Sequence, residues 1–582
     1  MPLDFRNINT LCSSILVETL SRLGLTTAIL CSGSRCTPLT VAFARHDRLE
    51  AISILDERSA SFFALGIAKK SRLPVVLVCT SGTATANFYP AIIEARASRV
   101  PLLVLTADRP PELQHCRASQ TIDQIKLYGH YPNWQAQFPP PENRPDILHY
   151  WRQNAMQAWR RSRFPHPGVV HLNFPFRKPL APIEQPEIQA LESQINEEDF
   201  FAFLENRESE IGNRESGMVA MPSRWQKAQR GIIIAGIDCP QKPNAYCSAI
   251  ANLAETLQFP VLAEGLSPLR NYADLNPHLI STYDILLRNS QLARKLAPEL
   301  VVQIGEMPTS TTLRSWLQEV QPQRWIVDPR EENLDPLHGK TLHLRTAIEQ
   351  LRLPNLDPRS PSPYLFQWQD CETCMREAID RDLEQTRDLF EGKIPWLLSQ
   401  ILPPNTPIFI ANSMPVRDVE TLWRPNNLHL QPYFSRGVNG IDGTLSTALG
   451  IAHRNRSSIL LTGDLAFLHD INGFLQANAF RGHLTIILIN NNGGGIFENL
   501  PIAQFNPPFE EFFATPQAID FAELCKAYRI EYHCITAWKR LKPLLNPLPE
   551  VGIRAIEIST HRGADAQWRK EKFQQWASQI WG

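Results

Sequence analysis

Short apolar runs alternate with amphipathic stretches along the N-terminal third of the chain. Each apolar run is long enough for a strand and ends in a polar cluster. Helical spacing over Ser59–Lys70 and Ala84–Ser98 separates some of these runs, which predicts βαβ units and a parallel sheet. Because open α/β sheets bind ligands beyond the carboxyl ends of their strands, the polar clusters mark a candidate binding edge. The predicted strands are Thr27–Cys31, Ala51–Leu55, Val75–Cys79, Leu102–Thr106 and Gly168–Pro175.

Two Pro-rich stretches, at 175–186 and 353–363, divide the rest of the chain, and strand–helix alternation resumes after each. A polar repeat of Asn-Arg-Glu-Ser at 206–216 indicates an insert that is poorly suited to burial. We therefore predict an α/β protein of three doubly wound domains with mostly parallel sheets. The predicted boundaries are 1–185 for the first domain, 186–225 for a linker with the insert, 226–355 for a central domain and 364–582 for the last.

Composition and charge narrow the class of protein. A hydrophobic fraction of 43% and a charged fraction of 20% are ordinary for a soluble globular protein. The net charge of −1 gives no global field to attract nucleic acid or an anionic membrane. We find no apolar run of the roughly 18 residues that a membrane span needs and no secretory signal, so we expect a cytoplasmic protein. The 11 scattered cysteines favour reduced thiols, and Cys371 and Cys374 favour an ordinary helix face over a metal or redox site.

Asp464 and Asn491 carry the strongest chemical signal. Asp464 follows an apolar strand directly, and Asn491 follows the next strand, Leu484–Ile489, in a Gly-rich turn 27 positions later. In a right-handed βαβ unit both strand ends face one edge of the sheet, so the two side chains can converge. Carboxylate, amide and backbone carbonyl oxygens suit Mg²⁺, which shares its other positions with ligand phosphates. Either motif alone favours a plain turn, whereas the pair favours a metal and a diphosphate.

These residues resemble the thiamine-diphosphate signature, which begins Gly-Asp-Gly and ends Asn-Asn, although Leu465 replaces the second glycine. Further blocks resemble the 2-succinyl-5-enolpyruvyl-6-hydroxy-3-cyclohexene-1-carboxylate synthase family of thiamine-diphosphate enzymes. The likeness covers the first and last domains well and the central one thinly. It implies a pyrimidine-binding domain at 1–185 and a diphosphate-binding domain at 364–582. The blocks are Ser32–Leu39, Asp56–Gly66, Thr80–Asn87, Thr106–Leu113, Asn412–Asp418, Arg436–Gly443 and Asn490–Phe497.

The resemblance implies that Glu57 is the cofactor-activating glutamate. A carboxylic acid hydrogen-bonded to N1′ of the aminopyrimidine drives the tautomerisation that removes the thiazolium C2 proton. Position alone is equally consistent with a carboxylate in the first turn of a helix. By the same resemblance Asp464, Asn491 and the Gly493 carbonyl bind Mg²⁺ (or Mn²⁺), and Ile441 supports the bent cofactor. The other implied cofactor contacts are Thr80, Gly82, Asn87, Ser413, Met414, Gly440, Gly463, Leu465, Ile496 and Phe497.

The implied substrates are 2-oxoglutarate and isochorismate, both dicarboxylates, so a neutral protein needs local cations to bind them. Arginine suits planar, bidentate carboxylate binding, although a surface ion pair is its commoner role. The central stretch Gly305–Thr312 has no basic residue, and Arg314 is the nearest. The candidate substrate-binding residues are Ser32, Ser34, Arg35, Arg109, Gln120, Ser413, Arg417, Arg436, Ile496, Phe497 and Leu500.

The resemblance implies a transferase that decarboxylates 2-oxoglutarate and adds the remaining carbanion to isochorismate, in menaquinone or phylloquinone biosynthesis. It also implies a homodimer or homotetramer with active sites at subunit interfaces, where Glu57 and Asp464 of one site belong to different chains. Two alternatives stay open at this point. One is another thiamine-diphosphate-dependent 2-oxoacid decarboxylase or acetolactate-type synthase. The other is a non-catalytic anion-binding protein that kept the fold.

Overall fold

The structure, a computed structural model, describes residues 3–204, 217–354, 360 and 362–579. The predicted polar insert at 206–216 therefore lies outside the described residues, as does most of 355–361. The described chain forms two compact units. The first contains residues 3–204, Ser435–Asn455 and Ala466–Leu484, and the second contains the remainder. Three six-stranded sheets confirm the predicted α/β class. None of the described helices is both long and apolar enough to cross a bilayer.

The first sheet is parallel, and its central strands are buried on both faces, as a sheet covered by helices requires. Its order is β2-β1-β3-β4-β6-β5. The strands are β1 (Thr27–Cys31), β2 (Glu50–Ser53), β3 (Val75–Cys79), β4 (Leu102–Asp108), β5 (Trp134–Gln137) and β6 (Val169–Pro175). The helices are α1 (Ile8–Arg22), α2 (Thr37–Ala44), α3 (Glu57–Ser71), α4 (Thr83–Asn87), α5 (Tyr89–Ala97), α6 (Pro145–Arg163), α7 (Pro186–Gln189) and α8 (Glu197–Phe201).

The single helix predicted over Ala84–Ser98 is wrong, because the structure has two helices, α4 and α5, in its place. Pro90 lies in the first turn of α5. A proline ring has no N–H to donate and would clash with the carbonyl four residues earlier, so the first helix ends before it.

The central sheet is also parallel, in the order β10-β9-β8-β11-β12-β13. Two further short strands, β7 and β14, pair with each other and lie before and after the central sheet in the sequence. The strands are β7 (Val219–Ala220), β8 (Gly231–Ala235), β9 (Val261–Ala263), β10 (Leu279–Ile280), β11 (Leu300–Ile304), β12 (Gln323–Val327), β13 (Lys340–Leu344) and β14 (Leu351–Arg352). The helices are α9 (Pro243–Leu257), α10 (Tyr283–Leu286), α11 (Ser290–Lys295) and α12 (Thr311–Val320).

The last sheet has the order β16-β15-β17-β18-β20-β19, so β17 and β18 are neighbours. Between β17 and β18, helix α17 ends at His469 and a 3₁₀ turn follows at Ile471–Gln476. The strands are β15 (Pro407–Ile410), β16 (Gln431–Tyr433), β17 (Ser458–Gly463), β18 (His483–Asn490), β19 (Glu531–Ile535) and β20 (Gly552–Ser559). The helices are α13 (Pro363–Gln385), α14 (Lys393–Ile401), α15 (Met414–Leu422), α16 (Thr444–Ala452), α17 (Asp464–His469), α18 (Phe521–Ala527), α19 (Leu541–Leu545) and α20 (Arg562–Gln579).

Within the first unit, α3 and α16 pack with their backbones in contact. A Cβ atom on Gly66 would lie 2.1 Å from the Thr447 carbonyl oxygen, and one on Gly450 would lie 2.1 Å from the Phe63 carbonyl oxygen. Side chains cannot be accommodated at such distances without moving backbone. The two glycines therefore set how closely α3, which begins at Glu57, approaches α16.

We predict that Gly66→Ala lowers the free energy of unfolding of the first unit by roughly 1–3 kcal/mol, because the added methyl group forces two helices apart. Thermal denaturation followed by circular dichroism measures the change. Gly217→Ala, at an open position of the second unit, is the control for an added methyl group without a clash, since a Cβ there meets nothing within 4 Å. Equal melting temperatures for Gly66→Ala and the wild type would contradict this packing.

Candidate active site

Asp464 lies where β17 ends and α17 begins, and the turn after β18 folds onto it. Its Oδ2 accepts the backbone N–H of Gly493 at 2.7 Å, and its Oδ1 accepts that of Leu465 at 2.8 Å. Burial raises the pKa of Asp464 to about 6, even though both N–H groups favour the charged form. A bound cation would stabilise the charged form of this buried carboxylate.

Gly493 is held in a conformation that only glycine adopts easily, with φ at +129°. A Cβ atom there would lie 2.2 Å from the Ala514 carbonyl oxygen. The Gly-rich turn therefore brings backbone, rather than side chains, close to Asp464. Close backbone approach of this kind is what a phosphate or a metal-bound phosphate needs.

The Asn491 side chain is buried beside this turn and has one unsatisfied oxygen. Its Nδ2 donates to Glu391 Oε2 at 2.9 Å, whereas its Oδ1 has no hydrogen-bond partner among the described residues. A buried acceptor without a donor is free to bind a ligand. The carboxylate of Asp464, the amide oxygen of Asn491 and a nearby backbone carbonyl are a donor set that fits a small divalent cation.

The start of α15 borders a cavity of about 910 Å³ in the second unit, which is large enough for a small organic ligand. Arg417 lies one turn into α15 and donates to the Ser413 carbonyl at 2.6 Å. Phe497, a candidate substrate-binding residue, is not among the lining residues and instead packs edge-on against Phe513. The predicted site residues that do line the cavity are Met414, Arg417, Ile496 and Leu500.

Further basic residues line this cavity that the sequence did not single out: Arg288, Arg569 and Lys570. Arg314, the nearest basic residue to the Gly305–Thr312 stretch, is not among them and donates to the Pro308 carbonyl. Only folding brings α20 beside α15, so no local motif signals Lys570. Arg288 is paired with Asp284, and Arg569 is paired with Asp418 and Glu391. Four carboxylates line the cavity as well, so its lining carries charges of both signs.

In the first unit, Glu57 is the first residue of α3 and is half-buried. Asp56 caps the helix by accepting the N–H of Arg58 at 2.9 Å. Arg58 in turn donates to the His469 carbonyl, and Asn472 donates to Asp56 Oδ2 at 2.7 Å. Three hydrogen bonds thus fix the helix start that presents Glu57.

Arg35 and Arg109 lie close together at the carboxyl edge of the first sheet. Arg35 donates to the Phe176 carbonyl at 2.7 Å, and Arg109 donates to the Ser81 hydroxyl. Burial lowers the pKa of Arg35, and the positive charge of Arg109 lowers it further. A carboxylate bound beside these two guanidinium groups would stabilise the charged form of Arg35.

Ser81 also forms hydrogen bonds with Gln120. Gln120 has a left-handed backbone, with φ at 56°, and its Nε2 donates to the Ser81 carbonyl at 2.9 Å. The neighbouring Gly82 N–H donates to Gln124 Oε1 at 2.9 Å. The structure therefore places Arg109, Gln120 and Gly82 around one turn.

Glu94 in α5 is a positioning residue that sequence reasoning missed. It is buried, and its carboxylate accepts the N–H groups of Gly437 at 3.2 Å and Val438 at 2.9 Å. These contacts hold the segment that carries Arg436 and Ile441. The contact joins residues 343 positions apart, so no local pattern could have indicated it.

The predicted site residues thus fall into two sets, one in each compact unit. Ser32, Ser34 and Asn87 are among the more accessible members of the first set, whereas Arg109 and Thr80 are partly buried. The first unit contains Ser32, Ser34, Arg35, Glu57, Thr80, Gly82, Asn87, Arg109, Gln120, Arg436, Gly440 and Ile441. The second contains Ser413, Met414, Arg417, Gly463, Asp464, Leu465, Asn491, Gly493, Ile496, Phe497 and Leu500.

Comparison with known proteins identifies the family of this chain. Three family models match: the N-terminal TPP binding domain of thiamine pyrophosphate enzymes at 12–127, the middle domain at 206–410 and the C-terminal TPP binding domain at 419–551. A curated 2-succinyl-5-enolpyruvyl-6-hydroxy-3-cyclohexene-1-carboxylate synthase from Gloeothece citriformis is 62% identical over 98% of both chains. One of the same name from Trichormus variabilis is 58% identical over 99% of both. The chain belongs to this synthase family.

Membership confirms the resemblance on which the sequence analysis relied, and it confirms the thiamine diphosphate cofactor. The alternative of an acetolactate-type synthase or another 2-oxoacid decarboxylase is not favoured. The crystal structure of benzoylformate decarboxylase from Polynucleobacter necessarius has a TM-score of 0.65 at 17% identity, covering 95% of this chain and 98% of that one. That similarity establishes a shared fold.

In this member of the synthase family, α15 ends in a buried polar cluster. Glu420 accepts the N–H of Gly265 at 2.5 Å and the hydroxyl of Tyr283, while Arg270 donates to the Glu420 carbonyl at 2.9 Å. Burial raises the pKa of Glu420, and the nearby charge of Glu264 raises it further. The cluster anchors the helix that carries Ser413, Met414 and Arg417.

We predict that Glu420→Gln reduces the pH dependence of stability in the second unit. The pKa of Glu420 in the folded protein is raised above its ordinary value of 4.5. Its contribution to the free energy of unfolding is therefore fully present below that ordinary pKa and is lost as the pH rises through the raised pKa. The ionisable groups that face it are Glu264, Arg270, Tyr283 and Arg314.

Urea denaturation between about pH 5 and about pH 8 measures the effect. Wild-type stability should fall across this range more steeply than that of Glu420→Gln. Glu319→Gln, an exposed carboxylate on α12, is the control and should retain the wild-type slope. Identical slopes for Glu420→Gln and the wild type would contradict the assignment.

Proposed function

We propose that this chain decarboxylates 2-oxoglutarate and adds the remaining four-carbon unit to isochorismate, forming 2-succinyl-5-enolpyruvyl-6-hydroxy-3-cyclohexene-1-carboxylate and CO₂. The observation that carries the proposal is 62% identity, over nearly the whole chain, to a curated synthase named for that product. The buried Asp464–Asn491 edge and the paired arginines Arg35 and Arg109 support it, since the reaction needs a diphosphate cofactor and two dicarboxylates. The product belongs to menaquinone or phylloquinone biosynthesis.

Glu57 would hold a proton at N1′ of the aminopyrimidine. The capped start of α3 fixes the position of Glu57, and the helix N-terminus would stabilise its carboxylate form. Thiamine diphosphate, when bound, supplies the thiazolium carbon that takes up the electrons of the breaking C–C bond. The domains that bind it are proposed at 1–185 and 364–582, with the central domain at 226–355.

Asp464, Asn491 and the Gly493 carbonyl would hold Mg²⁺ or Mn²⁺. The unsatisfied Asn491 oxygen and the buried Asp464 carboxylate support this set. The cation would neutralise the diphosphate and so bind the cofactor at this sheet edge. The other proposed cofactor contacts are Thr80, Gly82, Asn87, Ser413, Met414, Gly440, Ile441, Gly463, Leu465, Ile496 and Phe497.

The arginines orient the substrates by binding their carboxylates. Arg35 and Arg109 form one cationic group in the first unit, and Arg417 beside the cavity in the second unit is another. Fixed cations hold a reacting carbon in place, and this positioning accelerates the reaction and excludes substrates that lack the carboxylates. The proposed substrate contacts are Ser32, Arg35, Arg109, Gln120, Ser413, Arg417, Arg436, Ile496, Phe497 and Leu500.

We predict that a new adduct and CO₂ form when the enzyme is incubated with 2-oxoglutarate, isochorismate, thiamine diphosphate and Mg²⁺. Mass spectrometry detects the product. Glu57→Gln should lower kcat at least about 100-fold, the usual contribution of a general acid–base group, with little change in stability. Glu523→Gln, an exposed carboxylate, is the control. Normal turnover by Glu57→Gln would refute the mechanism, and an adduct formed without isochorismate would refute the proposed acceptor.

The active unit is proposed to be a homodimer or homotetramer in which Glu57 of one chain and Asp464 of another complete each site. The resemblance to thiamine-diphosphate enzymes supports this arrangement, and symmetric association gives every chain an equivalent site.

Mixed assemblies of Glu57→Gln and Asp464→Ala chains test this arrangement. If the two residues come from different chains, a mixed pair keeps one intact site, and random mixing should restore about a quarter of wild-type activity. If both residues come from one chain, every site in a mixed pair carries a lesion. Co-expression with two affinity tags isolates the mixed species, and its inactivity would overturn the shared site.

A further inference from the structure

Glu391 lies just before α14 and belongs to none of the motifs that resemble the synthase family. Its side chain is 1% exposed, and its Oε2 accepts the Asn491 amide hydrogen at 2.9 Å. The two residues are 100 positions apart. A buried carboxylate that contacts a candidate cation ligand is placed to influence that ligand's geometry.

The chemistry of the contact determines which way the amide points. A carboxylate only accepts hydrogen bonds, so the nitrogen of the Asn491 amide must face Glu391. Its oxygen then faces the other way, where it has no hydrogen-bond partner among the described residues. The flipped amide would set an oxygen against the carboxylate and leave the nitrogen toward the cation. Both contacts, oxygen against carboxylate and N–H₂ against cation, would be repulsive.

Glu391 is itself fixed by a buried ion-pair network. Arg569 lies 2.7 Å from Glu391 Oε1 and donates two hydrogen bonds to Asp418, at 2.8 and 2.7 Å. The Glu391 backbone N–H also donates to Asp565 Oδ2 at 3.2 Å. Although burial opposes it, the charges of Asp418 and Glu391 raise the pKa of Arg569. Such a network holds the carboxylate in one rotamer, because every alternative leaves a buried charge unpaired.

We propose that Glu391 is a positioning residue for the divalent cation, locking the Asn491 amide with Oδ1 toward the ligand-binding edge. The inference rests on the proposed cation site at Asp464, Asn491 and Gly493. Glu391 need not contact the cation, but it determines how tightly the cation binds. Partners of metal ligands commonly act in this way, and their loss weakens metal binding about 10–100-fold.

The experiment titrates Mg²⁺ into the full-length protein in the presence of thiamine diphosphate, with tryptophan fluorescence and calorimetry as readouts. Glu391→Gln should raise the Mg²⁺ Kd about 10–100-fold, since the new amide can present an N–H to Asn491 and release its orientation. Glu557→Gln is the matched control. Glu557 accepts the side-chain N–H of Asn490 at 2.8 Å, one residue before the ligand, so its Kd should stay at the wild-type value.

A second background separates orientation from general structural support. In Asn491→Asp, either carboxylate oxygen can face the cation, so amide orientation no longer matters. Glu391→Gln should therefore have little effect on the Kd in that background, because the introduced glutamine amide can donate to the introduced carboxylate. The double variant also keeps the net charge of the wild-type cluster. If the single variant Glu391→Gln fails to fold, the Mg²⁺ Kd of the double variant can still be compared with that of Asn491→Asp.

The possible outcomes distinguish an error in the role of Glu391 from an error in the cation site. If the wild type shows no Mg²⁺-dependent cofactor binding, the cation site itself is wrong. If the wild type binds and Glu391→Gln binds equally well, the cation site stands and the role of Glu391 is overturned. An equal loss of affinity in both backgrounds would also overturn it, because that pattern indicates structural support alone.

Discussion

The buried carboxylate of Asp464 is the group on which the candidate site depends. It lies at the end of β17, next to β18, and the parallel arrangement brings the following Gly-rich turn onto it. Two backbone N–H groups only partly offset its burial, which leaves the carboxyl pKa raised to about 6. A cation at this point would satisfy both this carboxylate and the unpaired oxygen of Asn491. Gly493 has a positive φ, and a side chain there would meet the Ala514 carbonyl, so glycine is required in this turn.

Charge in this protein is arranged locally, since the chain as a whole is nearly neutral. Arg35 and Arg109 concentrate positive charge at one strand edge, whereas Glu420 and its neighbours form a buried, carboxyl-rich cluster at the end of α15. The network of Arg569, Asp418 and Glu391 connects the same helix to the Asn491 turn. Buried networks of this kind are costly unless every member is paired, so they favour one arrangement of the helices that carry the site.

The sequence predicted the central strands of the first sheet because they are continuous apolar runs, as strands buried on both faces must be. It missed the edge strands β5, β10, β13, β16 and β19, which are only partly buried. Short, half-polar segments do not differ from loops in composition. The helix over Ala84–Ser98 was wrong for a local reason that could have been recognised, namely Pro90.

By itself, the sequence determined the α/β class, because apolar periodicity is a local property of the chain. The Asp464–Asn491 spacing indicated a cation and a diphosphate, and the resemblance of several local blocks to the synthase family implied the thiamine-diphosphate chemistry. Only the tertiary structure decided which distant charges support those residues. Glu94 contacts a segment 343 positions away, and Glu391 contacts Asn491 across 100 positions. Whether a carboxylate is buried, and what it pairs with, depends on which segments meet. That information is absent from any local stretch of sequence.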